Sequence, residues 1–554
     1  MKKFVVLSLI SFLILAFGAT VYGQEKAPVL EFKASGWFDV ISEYRMNVIQ
    51  PGAGTSAAGG TSTNDVVYGA PPAVYLPYSA VAATSGSTVV TKSPTTGDQV
   101  LSAIDSNGEY LVYRPGKAKV TTGAATKGDA YDKKTANMEG RGRLKFDALM
   151  GKEMSGTFQF EFDSTRWGER IPAGSTAQRN YSGYWGVSDR SSLELKHMYF
   201  TFGMPWIPVP TTIVAGIQPI GIRPSIFMST DGPAITAAFK VDPATIKLIW
   251  AKALEGRDWE ADDDDVYAIE ANAKIQTFTI GGYYALFNWN TYPAAGEGAA
   301  GWPLYSSNVW WAGLYLDGKL GPVNLNFDFC YDDGKIEAYG SNAPKALDVS
   351  GWGAILNIGF PWEKFLFGFS SIYGTGADQK KTAGKALPGA VTPWGTLPTK
   401  VGAFLVPGGT EASNTHALVV DGGGINRGNS GFEPAADYHS RSGFGGLWIN
   451  KIYAGFQFSP EFGTRIEGMY IRDNTKNGNT IGNAVTTAGM PRDDKNVGWE
   501  IDWYNTLAIY KNLSFQFGAG YLFAGNAMDY AASTTTNTSP KNPWIVVTNL
   551  TYSF

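Results

Sequence analysis

The last eleven residues, Trp544-Ile-Val-Val-Thr-Asn-Leu-Thr-Tyr-Ser-Phe554, alternate with a period of two. Trp544, Val546, Leu550, Tyr552 and Phe554 share one face, while Asn549, Thr551 and Ser553 fall on a smaller, wetter one. Successive side chains of a strand point to opposite faces, so this segment specifies a strand with one apolar and one polar surface. Taken alone, it fits a strand of a soluble sandwich as well as a barrel wall with an apolar outside. The rest of the chain decides between them.

The same alternation recurs along the sequence. From Leu30 to Tyr44, Leu30, Phe32, Ala34, Gly36, Phe38 and Val40 alternate with Glu31, Lys33, Ser35, Trp37 and Asp39. The clearest hairpin sets Gly142, Leu144, Phe146 and Ala148 against Arg141, Arg143, Lys145 and Asp147. After a turn at 150–155, it sets Phe158, Phe160 and Phe162 against Thr157, Gln159, Glu161 and Asp163. Val323 to Asp332 repeats the pattern and puts Cys330 on the polar side. The stretch 193–202 alternates weakly, and its faces cannot be assigned from the sequence. Met204-Pro-Trp-Ile-Pro-Val-Pro210 reads as a turn, because proline lacks the ladder donor.

Eight short turns are expected near 150, 207, 243, 275, 319, 362, 461 and 512, separated by nine longer connections. That spacing gives 18 antiparallel strands, or 16 if the weak hairpin between 193 and 241 is misread. An even count with both ends on the short-turn side is what a closed membrane barrel needs, and barrels of this size enclose water. The stretches 50–137 and 374–442, rich in Gly and Ala, are expected to be long loops outside the cell.

Lys2 and Lys3 precede an apolar run from Phe4 to Phe17 and then small residues to Gly23, the form of a secretory signal peptide over residues 1–23. The expected barrel therefore spans 24–554. The run is shorter than the about 20 apolar residues of a membrane anchor. Removing Lys2 and Lys3 leaves 43 of the 45 basic residues against 49 acidic ones, a net charge of −6 that argues against a nucleic-acid partner. Three histidines and one cysteine give no internal disulfide and little with which to hold a metal or haem.

No His-Glu-x-x-His, Gly-x-Ser-x-Gly, Cys-x-x-Cys-His or phosphate loop is present, so neither a catalytic residue nor a cofactor is expected. The acidic run Glu260 to Asp265 lacks the ligand spacing of a calcium loop and reads as a solvated loop top. Seventeen tryptophans could mark a sugar path. Trp499 and Trp503 nonetheless fall on apolar faces, which suits an interfacial belt better.

Three segments together resemble the trimeric general porins of anaerobic delta-group bacteria, and the C-terminal strand resembles the closing strand of outer-membrane barrels. The segments are Arg143-Leu-Lys-Phe-Asp with Phe158-Gln-Phe-Glu-Phe-Asp-Ser-Thr-Arg-Trp-Gly168; Lys196-His-Met-Tyr-Phe-Thr-Phe202; and Gly498-Trp-Glu-Ile-Asp502 continuing to Gly520-Tyr-Leu-Phe-Ala-Gly525. The resemblance implies a bacterial outer-membrane homotrimer, bathed in lipid, through which small hydrophilic solutes diffuse. By the same analogy the connection Pro219 to Pro233, with Arg223 and Asp231, is the expected constriction.

Arg141, Arg143 and Lys145 beside Glu161 and Asp163 either set a transverse field across a pore or pair with one another across the strands. The rival expectations are a substrate-specific channel, a barrel sheath around a multihaem cytochrome, and a barrel enzyme, for which no triad is visible, or an adhesin carried on the long loops.

Overall fold

The computed structural model describes residues 30–48, 89–92, 99–104, 110–113, 133–167, 193–255, 263–289, 304–339, 346–382, 399–407, 417–420, 439–441, 444–531 and 535–554. Eighteen strands form one closed antiparallel ring. They are β1 (Leu30–Val48), β2 (Lys133–Met150), β3 (Met154–Arg166), β4 (Leu193–Gly203), β5 (Thr211–Ile222), β6 (Met228–Val241), β7 (Ala244–Leu254), β8 (Asp264–Ile275) and β9 (Phe278–Trp289). The ring continues through β10 (Leu304–Leu320), β11 (Val323–Tyr339), β12 (Ala346–Trp362), β13 (Phe365–Gly374), β14 (Leu447–Gln457), β15 (Phe462–Asp473), β16 (Asn496–Tyr510), β17 (Leu513–Ala524) and β18 (Trp544–Ser553). The C-terminal β18 pairs back onto β1, from Trp37 opposite Ser553 to Met46 opposite Trp544, so the ring has no open edge.

The eight expected turns lie at 151–153, 204–210, 242–243, 276–277, 321–322, 363–364, 458–461 and 511–512, which settles the count at 18 rather than 16. Several are two-residue hairpins whose first residue takes the left-handed backbone such turns require, as at Gln276 (φ 55°), Gly321 (59°) and Glu363 (51°).

The faces follow the alternation. Phe32, Phe146, Phe158, Leu314, Ile452 and Trp499 are exposed on the outside, and Asp39, Glu161, Asp328, Glu467, Glu500 and Asn549 are buried on the inside. A ring that exposes large apolar side chains outside and buries carboxylates inside departs from the pattern of a soluble protein. It suits a wall whose backbone groups are all satisfied within lipid.

Strand β4 explains its own weak alternation. Opposite β3, Gln159 pairs with His197 but Phe160 pairs with Leu195, so Lys196 is an extra residue. This bulge lets Lys196 and His197 both reach carboxylates on the inside.

The long stretches also differ from expectation. Residues 133–137 already belong to β2, and Val89–Lys92, Gln99–Ile104 and Tyr110–Tyr113 form a small three-stranded sheet. The segment Pro219 to Pro233 is mostly strand, with only residues 223–227 as its tip. Parts of 374–442 lie inside the barrel, where Phe404, Leu405, Val406, Ala417 and Leu418 are all buried.

Candidate functional site: the barrel interior

Beyond Ile217 on one side and Ala234 on the other, the β5–β6 hairpin loses its outer neighbours while its own ladder runs on to Ile222 opposite Met228. This free end crosses the interior and is bolted at both ends. At its base, Asp231 accepts from His197 Nε2 at 2.7 Å, and its other oxygen lies 2.6 Å from Lys196 Nζ. At its tip, Arg223 takes left-handed backbone (φ 45°) and pairs with Asp317 on β10 and Asp328 on β11. The Arg223 guanidinium also sits 4.3 Å from the Tyr315 ring centroid. Phe227, fully buried, stacks on Tyr283 at 5.0 Å and packs against Trp311 at 5.7 Å. Lys247 on β7 donates to the Gly221 carbonyl at 2.9 Å. The hairpin is thus a strut from β4 to β10 and β11.

Of the charges expected on β2 and β3, Arg141 and Arg143 both bond Glu161, with Arg143 Nε at 2.9 Å, and Lys196 joins the same carboxylate at 3.1 Å. Arg141 and Arg143 thus pair with Glu161 across the strands. Lys145 turns instead to Asp147 on its own strand, 3.1 Å away. The side chain of Asp163 lies outside the described residues. The structure brings Arg141, Arg143 and Glu161 together, and Lys196 links that cluster to Asp231; Arg223 belongs to a separate cluster on the far side.

Toward the short turns, the inner face stays polar around the ring. Asn326 donates to Asp317, Asn357 to Asn326 at 2.8 Å, and Ser370 to Asn357 at 2.6 Å, a ladder of side chains across β10 to β13. On the next two strands of the ring, β14 and β15, Glu467 holds Lys451 at 2.9 Å and Arg465 at 2.8 Å. Toward the long loops, the same face turns apolar. Along β9 the inward row runs Tyr283, Ala285, Phe287, Trp289, and along β12 it runs Asn357, Ile355, Gly353, Gly351, Val349, Leu347.

Two pieces of the connection after β13 pack into this apolar half. Trp311 Nε1 donates to the Leu405 carbonyl at 3.0 Å, and the Leu405 amide donates to Asp332 at 3.3 Å. Farther round the ring, the Leu418 amide donates to Asp502 at 3.0 Å, and the amides of Val419 and Val420 donate to the two oxygens of Glu500, at 2.5 and 3.1 Å. Leu418 is buried against Ile41, Ile545 and Val547. Gly520 on β17 permits this approach, since a Cβ there would meet Leu418 and Val419 at 3.1 and 3.0 Å. Carboxylates satisfying backbone donors of a buried loop answer the requirement that such donors not be left unpaired.

Sequence reasoning missed Lys196 and His197 because the bulge hid their direction. It missed Asp317 and Asp328 because they meet Arg223 across about 100 residues of sequence, at separations of 94 and 105. Lys451, Arg465 and Glu467 did carry a signal: they sit on the polar faces of two strands joined by one of the expected turns. The hydrogen-bonding role of Glu500 and Asp502 had none, since it depends on which loop folds inward.

No family profile and no curated protein matches the chain. Among solved structures it is similar to OpdL of Pseudomonas aeruginosa, with 10% identity over 94% of this chain and 98% of that one, and a TM-score of 0.43. It is also similar to OpdQ of the same organism (8% identity, 94% and 98%, TM-score 0.44) and to OccK8, or OprE (10%, 94% and 98%, TM-score 0.42).

Proposed function

We propose that the chain is a porin of the bacterial outer membrane, exported with cleavage near Gly23, that lets small hydrophilic solutes and ions diffuse passively along its interior. The observation that carries this reading is the closed 18-stranded ring, lipid-compatible outside and lined with hydrogen-bonded polar side chains in its short-turn half. Lining charges, among them Arg141, Arg143, Lys145 and Glu161, set the local potential, and the strut carrying Arg223 and Asp231 narrows the way. No step of this transport calls for a cofactor, an energy source or an enzymatic residue.

The test is single-channel current from the refolded protein in a planar bilayer. Open currents that scale with bulk salt are expected, and closure in three steps accompanies the homotrimer that the sequence resemblance implies. Correctly folded protein without current overturns the reading. A second reading, a substrate-selective channel, is favoured by the strut and by the segments at 399–407 and 417–420, all of which fill interior space. Saturable block of the current by one solute class distinguishes it from general diffusion.

A further inference from the structure

Arg465 differs from the other arginines of the inner wall. Arg223 spends its guanidinium on two aspartates, and its side chain is 16% exposed. Arg465 is 44% exposed and lies 2.8 Å from Glu467 through Nε alone. Its terminal nitrogens have no hydrogen-bond or ion-pair partner among the described residues. The guanidinium nevertheless does not hang loose: its carbon lies 5.1 Å from the ring centroid of Tyr504 and 5.7 Å from that of Tyr453.

Each neighbour is itself fixed. Glu467 is anchored from its other oxygen by Lys451 at 2.9 Å. Tyr504 donates its hydroxyl to Asp502 at 3.2 Å. Tyr453 lies across Gly368 on β13, where any Cβ would come within 2.1 Å of its ring. Arginine sits directly opposite Tyr504 in the β15–β16 ladder, and Glu467 opposite Tyr453 in the β14–β15 ladder, so the cluster is built into the register of three strands. Arg143 repeats the design more weakly, with Nε on Glu161 at 2.9 Å, its guanidinium 5.4 Å from the Trp37 ring and 21% exposure.

A guanidinium held by its Nε beside a carboxylate and framed by two aromatic rings leaves its two remaining nitrogens as a fork of restricted orientation. That fork matches two coplanar oxygens on one ligand group, and holding it in place beforehand lowers the ordering cost of binding. We infer that Arg465, framed by Tyr453, Tyr504 and Glu467, is a solute-binding station of the interior for small anions bearing a carboxylate or a phosphate, with Arg143 over Trp37 a second, weaker one. The inference rests on the channel reading and names a ligand class for it.

The test uses the full refolded chain in potassium chloride, with acetate and inorganic phosphate as probes and glucose as the uncharged control. Saturable reduction of the current by acetate or phosphate is expected, and none by glucose; whichever anion acts at lower concentration identifies the carboxylate or the phosphate as the better ligand. Replacing a doubly hydrogen-bonding cation should raise the half-blocking concentration about tenfold or more in Arg465→Gln, with Arg465→Lys intermediate and Arg143→Gln smaller. A measurable open-channel current in chloride, whatever its size, should remain in Arg465→Gln and Arg465→Lys, which separates a lost station from a collapsed barrel. Anion block that is unchanged in Arg465→Gln, or absent from a conducting channel, overturns the inference. Should the folded protein pass no current, the channel reading fails by itself. Calorimetric titration of the detergent-folded barrel with acetate and phosphate then decides the station: heat that disappears in Arg465→Gln supports it, and no heat from the unaltered protein overturns it.

Discussion

The two halves of the barrel interior use the same wall for opposite purposes. Toward the short turns, inward side chains are charged or amidic and bond mainly to one another along the wall, as in the Asp317, Asn326, Asn357, Ser370 ladder. Toward the long loops, inward side chains are mostly apolar, interrupted by carboxylates such as Asp332, Glu500 and Asp502, and the chain's own residues 226–227, 404–406, Ala417, Leu418 and Val420 are buried among them. Carboxylates occur in both halves with different partners. Glu161 and Glu467 hold cations of the wall, whereas Glu500 and Asp502 hold backbone amides of an inserted segment. One half is built as a wet lining and the other as a packed core, so substitutions in the second should cost stability and those in the first should alter what passes.

The largest effect on that contrast is expected at Phe227, which has no exposed surface and touches both Tyr283 and Trp311. Phe227→Ala should remove about 3–5 kcal/mol from the docking of the strut. Denaturant midpoint and single-channel current read it together, with a fall in the first and a rise in the second. Unchanged values of both would show that the packed half is not what holds the strut in place.

Arg223→Gln attacks the same strut through its charge. It leaves Asp328, 1% exposed, without its cation, and breaking a buried pair in this way costs about 3 kcal/mol. Asp317 is 38% exposed and should add little, because water already screens it. The measurable consequence is a flickering current, as the tip leaves β10 and β11 while Lys196 and His197 still hold Asp231. A steady current equal to that of the unaltered protein would mean that the tip is held by Phe227 alone.

How much of this could be read from the sequence follows the same division. Period-two alternation, with prolines at the turn of 204–210, locates the turns and, outside the bulged β4, the outward faces, because lipid imposes one demand on all strands: Phe32, Phe158 and Trp499 all face out as expected. The inward face carries no such uniform demand. Whether Ile545 and Val547 meet water or Leu418 depends on a segment about 130 residues away in the chain, and alternation within β18 is silent about it. Arg223 and Asp231 stood out as isolated charges in an apolar connection. Their partners lay on remote strands or behind a bulge, and neither kind of relation leaves a local pattern.

Glu500→Gln should have an intermediate effect. The amide keeps one oxygen for the Val419 or Val420 amide and turns an NH2 toward the other, leaving a buried donor unsatisfied at about 1–3 kcal/mol. Reaction of a cysteine placed at Val419 with a thiol reagent should then be faster than in the otherwise unaltered chain, whose native thiol, Cys330, is buried. Equal reaction rates would show that packing of Leu418, rather than the carboxylate, keeps the segment seated.

Lys145→Gln probes the wet half and should leave stability nearly untouched. Lys145 is 38% exposed beside Asp147 at 20%, and a half-solvated pair of this kind contributes about 0.5 kcal/mol or less. Its charge nevertheless lies on the inner face, and on the channel reading removing one cation while Asp147 keeps its negative charge makes the local potential more favourable to cations. The reversal potential in a salt gradient should therefore move toward cation selectivity. The shift should be clear at low ionic strength and fade toward 1 M salt, where the screening length falls to about 3 Å. A large loss of stability with no change in reversal potential would invert the assignment, making the short-turn half the packed support and leaving the path of the ions to be sought elsewhere in the ring.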